Sequence, residues 1–169
     1  YMERDGLTGL LNHSRVEAQL EMELFRAQRR SSRCAVAMID LDGFKKINDT
    51  YGHSFGDRVL RSLSLMLRQR LRRTDFVGRW GGEEFMVLLP ETDAEAAARV
   101  LDEIRIGFSQ VRHLHEGNPV HVTFTCGIAA YPAITTVAGL VEDADQALYR
   151  GKHAGRNRVV VAAEDANTV

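Results

Sequence analysis

Arg79-Trp80-Gly81-Gly82-Glu83-Glu84-Phe85 is the stretch whose reading decides the fold. Phe76 and Val77 before it favour β structure and Phe85 to Leu89 after it run apolar, so two strands flank a Gly-Gly pair, the mark of a hairpin. Glycine tolerates positive φ and carries no side chain, which allows a tight turn and the close approach of a bulky anion. Alternation along a strand sends Glu83 and Glu84 to opposite faces, so at most one of them is expected to face a given site.

Upstream of the hairpin, Ser14 and Glu17 read as a capping box opening a helix with Val16, Leu20, Leu24 and Ala27 on one face. Cys34 to Ile39 is short and continuously apolar, as a strand covered on both faces would be, and it runs into Asp40-Leu41-Asp42-Gly43. Phe44 to Tyr51 forms a short helix ended by Gly52. A second capping-box pattern, Ser54 with Asp57, opens a longer helix with Val59, Leu60, Leu63, Leu67 and Leu71 on one face, and arginines crowd its last turns. Downstream, Thr92 and Glu95 cap a helix to about Val111, residues 113–119 read as a polar loop, and His121 to Tyr131 as a strand. Val137 to His153 is a further helix, Arg158 to Val161 a last strand, and 162–169 a frayed tail. The interleaving of helices around a central hairpin predicts an α+β fold: a mixed central sheet flanked by helices, ferredoxin-like or palm-type.

With 169 residues and 44% hydrophobic content, the chain is expected to form a single domain, residues 1–169. A formal net charge of −1 gives no reason to expect nucleic acid or a membrane surface as partner. No apolar run reaches the length of a membrane span, and a cytoplasmic location is expected. Cys34 and Cys126 sit in apolar runs without metal-ligand spacing and read as buried free thiols. The abrupt start, with a motif already at Asp5, suggests a domain excised from a longer protein whose N-terminal sensor partner is missing.

Several groups could carry chemistry. Asp40 follows a buried strand, and a buried carboxylate requires compensation; the bland reading is a helix N-cap, a task for which Asp42 is better placed. Should Glu83 turn toward Asp40, two hard oxygen ligands would suit Mg²⁺ completed by phosphate and water. Lys45 and Lys46 open a helix where phosphate would be attracted, and Lys152, Arg156 and Arg158 add positive charge, although each alone reads as a solvated surface group. Asn48 and Asp57 could read a purine edge or serve as helix terminator and capping acid. Arg72 and Asp75 could be a local ion pair or a guanidinium site for phosphate or guanine. Trp80 reads as hairpin packing.

Together these motifs resemble the GGDEF family, the diguanylate cyclases, from Asp5 to about Val160. Gly81 to Phe85 reads GGEEF, a variant of the signature. Asp5 to Asn12 is similar to the family's D-x-L-T-G-L-x-N lead-in, Met38 to Asp49 and Gly52 to Asp57 to its substrate segment, and Ala147 to Arg158 to its closing segment. His13 departs from the usual Arg, and Gly151 from the common Ala, which is expected to weaken the closing helix slightly.

The resemblance implies condensation of two GTP into cyclic di-GMP by a homodimer, with release of pyrophosphate. It implies Asp40, Glu83 and the Leu41 carbonyl as ligands of Mg²⁺, or of Mn²⁺. Glu83 would activate the 3′-hydroxyl and Lys45 would stabilise the transition state. Asn48 and Asp57 would read guanine; Phe44, Lys45, Lys152 and Arg156 would hold phosphates; and Gly81 and Gly82 would leave room for the nucleotide. Arg72 and Asp75 match an R-x-x-D site at which cyclic di-GMP inhibits its own synthesis. The alternative is a catalytically silent member acting as a receptor for cyclic di-GMP or GTP.

Overall fold

Cys34–Leu41 forms β1, buried at all eight positions because helices cover both its faces. The computed structural model describes residues 3–163. Its elements run α1 (His13–Arg29), β1, α2 (Phe44–Tyr51), α3 (His53–Arg70), β2 (Phe76–Arg79), β3 (Glu84–Pro90), α4 (Ala94–Ser109), β4 (His113–His115), β5 (Asn118–Val120), β6 (Phe124–Tyr131), α5 (Val137–His153) and β7 (Val159–Val161). The five-stranded sheet has the order β2-β3-β1-β6-β7. β1 is antiparallel to both β3 and β6, and β6 is parallel to β7. This is the expected α+β architecture with a mixed central sheet.

Alternation along β1 divides the core. Ala35, Ala37, Ile39 and Leu41 pack with Phe55, Leu63 and Leu67 of α3 and Leu101 and Phe108 of α4. Val36 and Met38 face the other way, onto Val16 and Leu20 of α1 and Leu140 and Leu148 of α5. Cys34 and Cys126 are free and buried, and burial pushes the Cys34 thiol up to about 11. No helix among the described residues is long and apolar enough to cross a membrane.

The helices form where periodicity places them, but their caps move. Asn12 caps α1 by accepting from the Arg15 amide at 3.0 Å, and Asp93 caps α4 by accepting from the Ala96 amide at 2.8 Å. Both have the extended backbone a cap needs, which is why they displace the neighbouring Ser14 and Thr92. α3 starts at His53 from Gly52 with no side-chain cap, so the Ser54/Asp57 box does not form. Residues 113–120 pair as the β4–β5 hairpin rather than lying in a loop, turning through left-handed Glu116 and Gly117. The expected frayed tail begins instead with Ala162, whose amide donates to the Ile128 carbonyl at 2.7 Å; residues 164–169 lie outside the described region.

Candidate active site

Asp40 shares the β1 face of Val36 and Met38, which turns it toward α5, where it is 5% exposed. There Lys152 Nζ donates to its Oδ2 at 2.5 Å and supplies the compensation that burial demands. Glycines bring α5 this close. A Cβ on Gly127 of β6 would stand 2.1 Å from the Ala144 carbonyl oxygen and 2.3 Å from the Leu148 nitrogen. Gly151 plays a related part: a Cβ there would lie 2.7 Å from Thr125 Cγ2. Its departure from alanine is therefore a close-packing feature of α5 on β6 rather than only a weakness in the helix.

Glu84 stands opposite Asp40 in the β1–β3 register. Glu83 precedes the strand, and its carbonyl accepts from the Leu41 amide at 3.2 Å. The alternation argument therefore fails, because it applies only within a strand and Glu83 lies in the turn. Both carboxyls are held above their ordinary values, chiefly by burial and next by the charge of Asp40. Asp40 is itself raised by burial, against the opposing pull of Lys152. Glu84 is thus a third acid of the cluster, one that strand alternation had set aside; counting the ladder back from Phe85 opposite Ile39 would have found it.

The turn has a different basis from the one expected, since neither Gly81 nor Gly82 is left-handed. The Trp80 and Gly81 amides both donate to the Glu84 carbonyl, at 2.8 and 3.2 Å. A Cβ on Gly81 would press on Glu84 Oε1 at 2.8 Å, whereas the space around Gly82 is open. Arg79 braces this turn from behind. Its Nε and Nη2 donate to the Gly82 carbonyl at 3.2 and 2.7 Å, and its Nη1 pairs with Asp5 at 3.2 Å. Asp5 also accepts from the Thr8 amide and hydroxyl, so the lead-in motif anchors the Gly-Gly turn. His13 stacks on Trp80 with centroids 3.7 Å apart and donates from Nδ1 to the Trp80 carbonyl at 2.7 Å, which gives the unusual histidine a role in the hairpin.

α2 begins at left-handed Gly43 (φ 63°) with no side-chain cap, so its first-turn amides remain available to an anion. Neither Asp40 nor Asp42 caps it; Asp42 instead accepts from Thr123 and Thr125. The Phe44 ring is core and 8% exposed, leaving its backbone as the group it can offer, whereas Lys45 is exposed. Leu41 likewise buries its side chain and has only its carbonyl to give. Asn48 Oδ1 is buried without a hydrogen-bond partner, tucked against Gly56, where a Cβ would stand 1.9 Å away. Asp57 lies within α3, next to Gly56, and is half-buried. Arg156 lies exposed in the loop after α5.

The donor set fits a divalent cation. Asp40 and Glu83 offer hard carboxylate oxygens, the charge of Asp40 helps to push the Glu83 carboxyl up, and a lysine ammonium already stands in as cation at Asp40. Mg²⁺ is commonly held by one or two carboxylates and completed by phosphate and water, a demand that Asp40 and Glu83 could meet; among the described residues no group of three or more His, Cys, Asp or Glu side chains is placed to hold a metal.

Arg72 and Asp75 lie at the other end of β3. Asp75 accepts from Arg72 Nη2 at 2.9 Å and from its amide at 2.8 Å, while Nη2 also reaches the Pro90 carbonyl and Thr92 Oγ1. Arg33 and Arg70 join Arg72 around a cavity of about 320 Å³.

The family model for the diguanylate cyclase GGDEF domain matches residues 2–158. The diguanylate cyclase DgcP of Pseudomonas aeruginosa is 43% identical over 158 residues, covering 94% of this chain but only 24% of that protein's length. The GGDEF domain of DgcB from Caulobacter crescentus, solved in complex with c-di-GMP, superposes with a TM-score of 0.89 at 33% identity, covering 95% of this chain and 93% of that one. The active GGEEF domain of a diguanylate cyclase from Vibrio cholerae does so with 0.87 at 32% identity, covering 92% and 99%. By its fold, its signature turn and these similarities, the chain belongs to the GGDEF-domain family.

Proposed function

We propose that this domain is a diguanylate cyclase that condenses two GTP molecules into cyclic di-GMP as a homodimer. The observation that carries the reading is the convergence of Asp40, Glu83, Glu84 and Lys152 beside an uncapped helix start. Asn48 Oδ1, buried and unpartnered, supports guanine recognition: its carboxamide and the Asp57 carboxylate offer complementary groups to a purine edge. The open α2 amides, Lys45 and Arg156 hold the triphosphate, and Lys152 moves from Asp40 to the phosphates as it binds. Mg²⁺ or Mn²⁺ held by Asp40, Glu83 and the Leu41 carbonyl supplies neutralisation of the phosphate charge when bound. Glu83, its proton affinity raised by burial and Asp40, accepts the proton of the 3′-hydroxyl that attacks the other nucleotide's α-phosphorus, with pyrophosphate leaving. Lys45 stabilises the charge that builds there. Each domain holds one nucleotide, so two domains must face each other, and the encounter supplies the orientation the reaction needs. The similarity to a GGEEF domain whose structure is described as active supports this variant of the signature.

The test is incubation with GTP and Mg²⁺ over a wide range of protein concentration, with the products separated by chromatography. Cyclic di-GMP whose specific rate rises with protein concentration is the expected result. If none forms even from a constitutively dimerised fusion, the catalytic reading falls and the receptor reading takes its place.

A further inference from the structure

Asp42 has no part in the chemistry above, yet it is the most heavily engaged carboxylate beside it. Its Oδ1 accepts from Thr125 Oγ1 at 2.6 Å, and its Oδ2 accepts from Thr123 Oγ1 at 2.7 Å and from the Asn157 amide at 3.0 Å. Arg105 of α4 grips Asn157 from another side, donating from Nη1 to its backbone carbonyl at 3.2 Å and to its Oδ1 at 2.8 Å. The segment so held is unusual. Gly155, Arg156 and Asn157 all have positive φ, at 124°, 62° and 47°. Consecutive left-handed residues with side chains are costly and persist only where surrounding contacts over-determine them.

We propose that Asp42 is a positioning residue for triphosphate binding: together with Arg105 it locks Asn157, and through it the left-handed loop that presents Arg156. This rests on the GTP reading of the site. The logic is geometric. Asp42 follows the β1 end that carries Asp40 and precedes the α2 start, so one carboxylate ties the two halves of the phosphate site, 115 residues apart in the chain, into one frame. Without it the Asn157 amide keeps only Thr125 Oγ1, at 3.1 Å, a hydroxyl that Asp42 Oδ1 itself orients, so the loop loses its charged anchor and Arg156 its fixed origin.

The test has two readouts. The first is amide hydrogen exchange of residues 154–158 in the Asp42→Ala chain, which is independent of nucleotide: faster exchange at Asn157 is expected, and unchanged exchange overturns the brace. The second is a double-mutant cycle for GTP binding in the presence of Mg²⁺. Asp42→Ala and Arg156→Ala should each weaken GTP by roughly tenfold, about the worth of one charge-assisted hydrogen bond, and the double variant should lose no more than Arg156→Ala alone. Guanosine, which has no phosphate, should bind all three variants like the parent. Additive losses in the cycle, or an equal loss of guanosine affinity, would show that Asp42 acts on the fold at large and not through Arg156. Absence of GTP binding by the unaltered chain, with exchange at Asn157 still accelerated by Asp42→Ala, would sink the functional reading and with it the role assigned to the loop, while the brace itself stood.

Discussion

Glu83, Glu84 and Asp40 bring three carboxyls into a half-buried corner beside one lysine; burial raises all three pKa values, the charge of Asp40 adds to the rise of Glu83 and Glu84, and Lys152 pulls against it at Asp40. A carboxyl whose folded pKa exceeds its unfolded value contributes stability below the unfolded pKa and loses it as pH rises through the folded one. The cluster therefore weakens the metal-free domain at neutral pH. Glu84→Gln should raise Tm at pH 7.5, and the gain should shrink toward pH 5, where the parent carboxyls take up protons; a gain independent of pH would mean that packing, not charge, is responsible. For the same reason Mg²⁺ should raise Tm more at pH 7.5 than at pH 5. Glu83→Gln keeps the shape and removes the proton acceptor, so cyclic di-GMP formation should fall by about 100-fold or more. A variant with parental turnover would refute the assignment of the base. Lys45, Asn48 and Asp57 could be proposed from sequence because motif spacing marks them. The acid cluster was only half legible, since whether Glu84 joins it depends on where a strand begins, and local alternation does not encode that.

Among the elements, α5 is placed by the glycine beneath it. Gly127→Ala would drive a Cβ into the α5 backbone at Ala144 and Leu148, contacts that no side-chain rotation relieves. The expected loss is about 3 kcal/mol, roughly 6–12 °C in Tm for a domain of this size, measured by thermal unfolding with loss of activity alongside. A drop under 2 °C would mean that α5 shifts cheaply to admit the methyl group, carrying Lys152 with it. The five helices were readable because each repeats apolar residues over two or more turns. Their caps were not, since Ser, Thr, Asn and Asp stand side by side at Asn12 to Ser14 and at Thr92-Asp93, and backbone geometry chooses among them. The β4–β5 hairpin escaped notice because three-residue strands show too little alternation to register, and Glu116 is an unusual residue for a left-handed turn position.

At the scale of the whole molecule, the acid cluster and the Arg72–Asp75 pair lie at opposite ends of β3, a span of about 20 Å for seven extended residues. If the second is a product site, Arg72→Ala should leave the initial rate near the parental value while raising the cyclic di-GMP concentration needed for half-inhibition by roughly tenfold or more. Unchanged inhibition in progress curves with added product would reduce Arg72 to a local brace for Pro90 and Thr92. A mixed sheet flanked by helices followed from the interleaving of elements, but its strand order and the contacts that close the molecule did not: Arg79 meets Asp5 across 74 positions and Lys152 meets Asp40 across 112. That last contact makes the protein its own competitor. On the proposed reading an incoming cation has to evict an ammonium that is already seated, and an ammonium once evicted needs an anion nearby, so cation and triphosphate should each tighten the other's binding by the same factor, as linkage requires. Lys152→Met would abolish that coupling in both directions, leaving a site that fills with cation readily and no longer reports whether nucleotide is present.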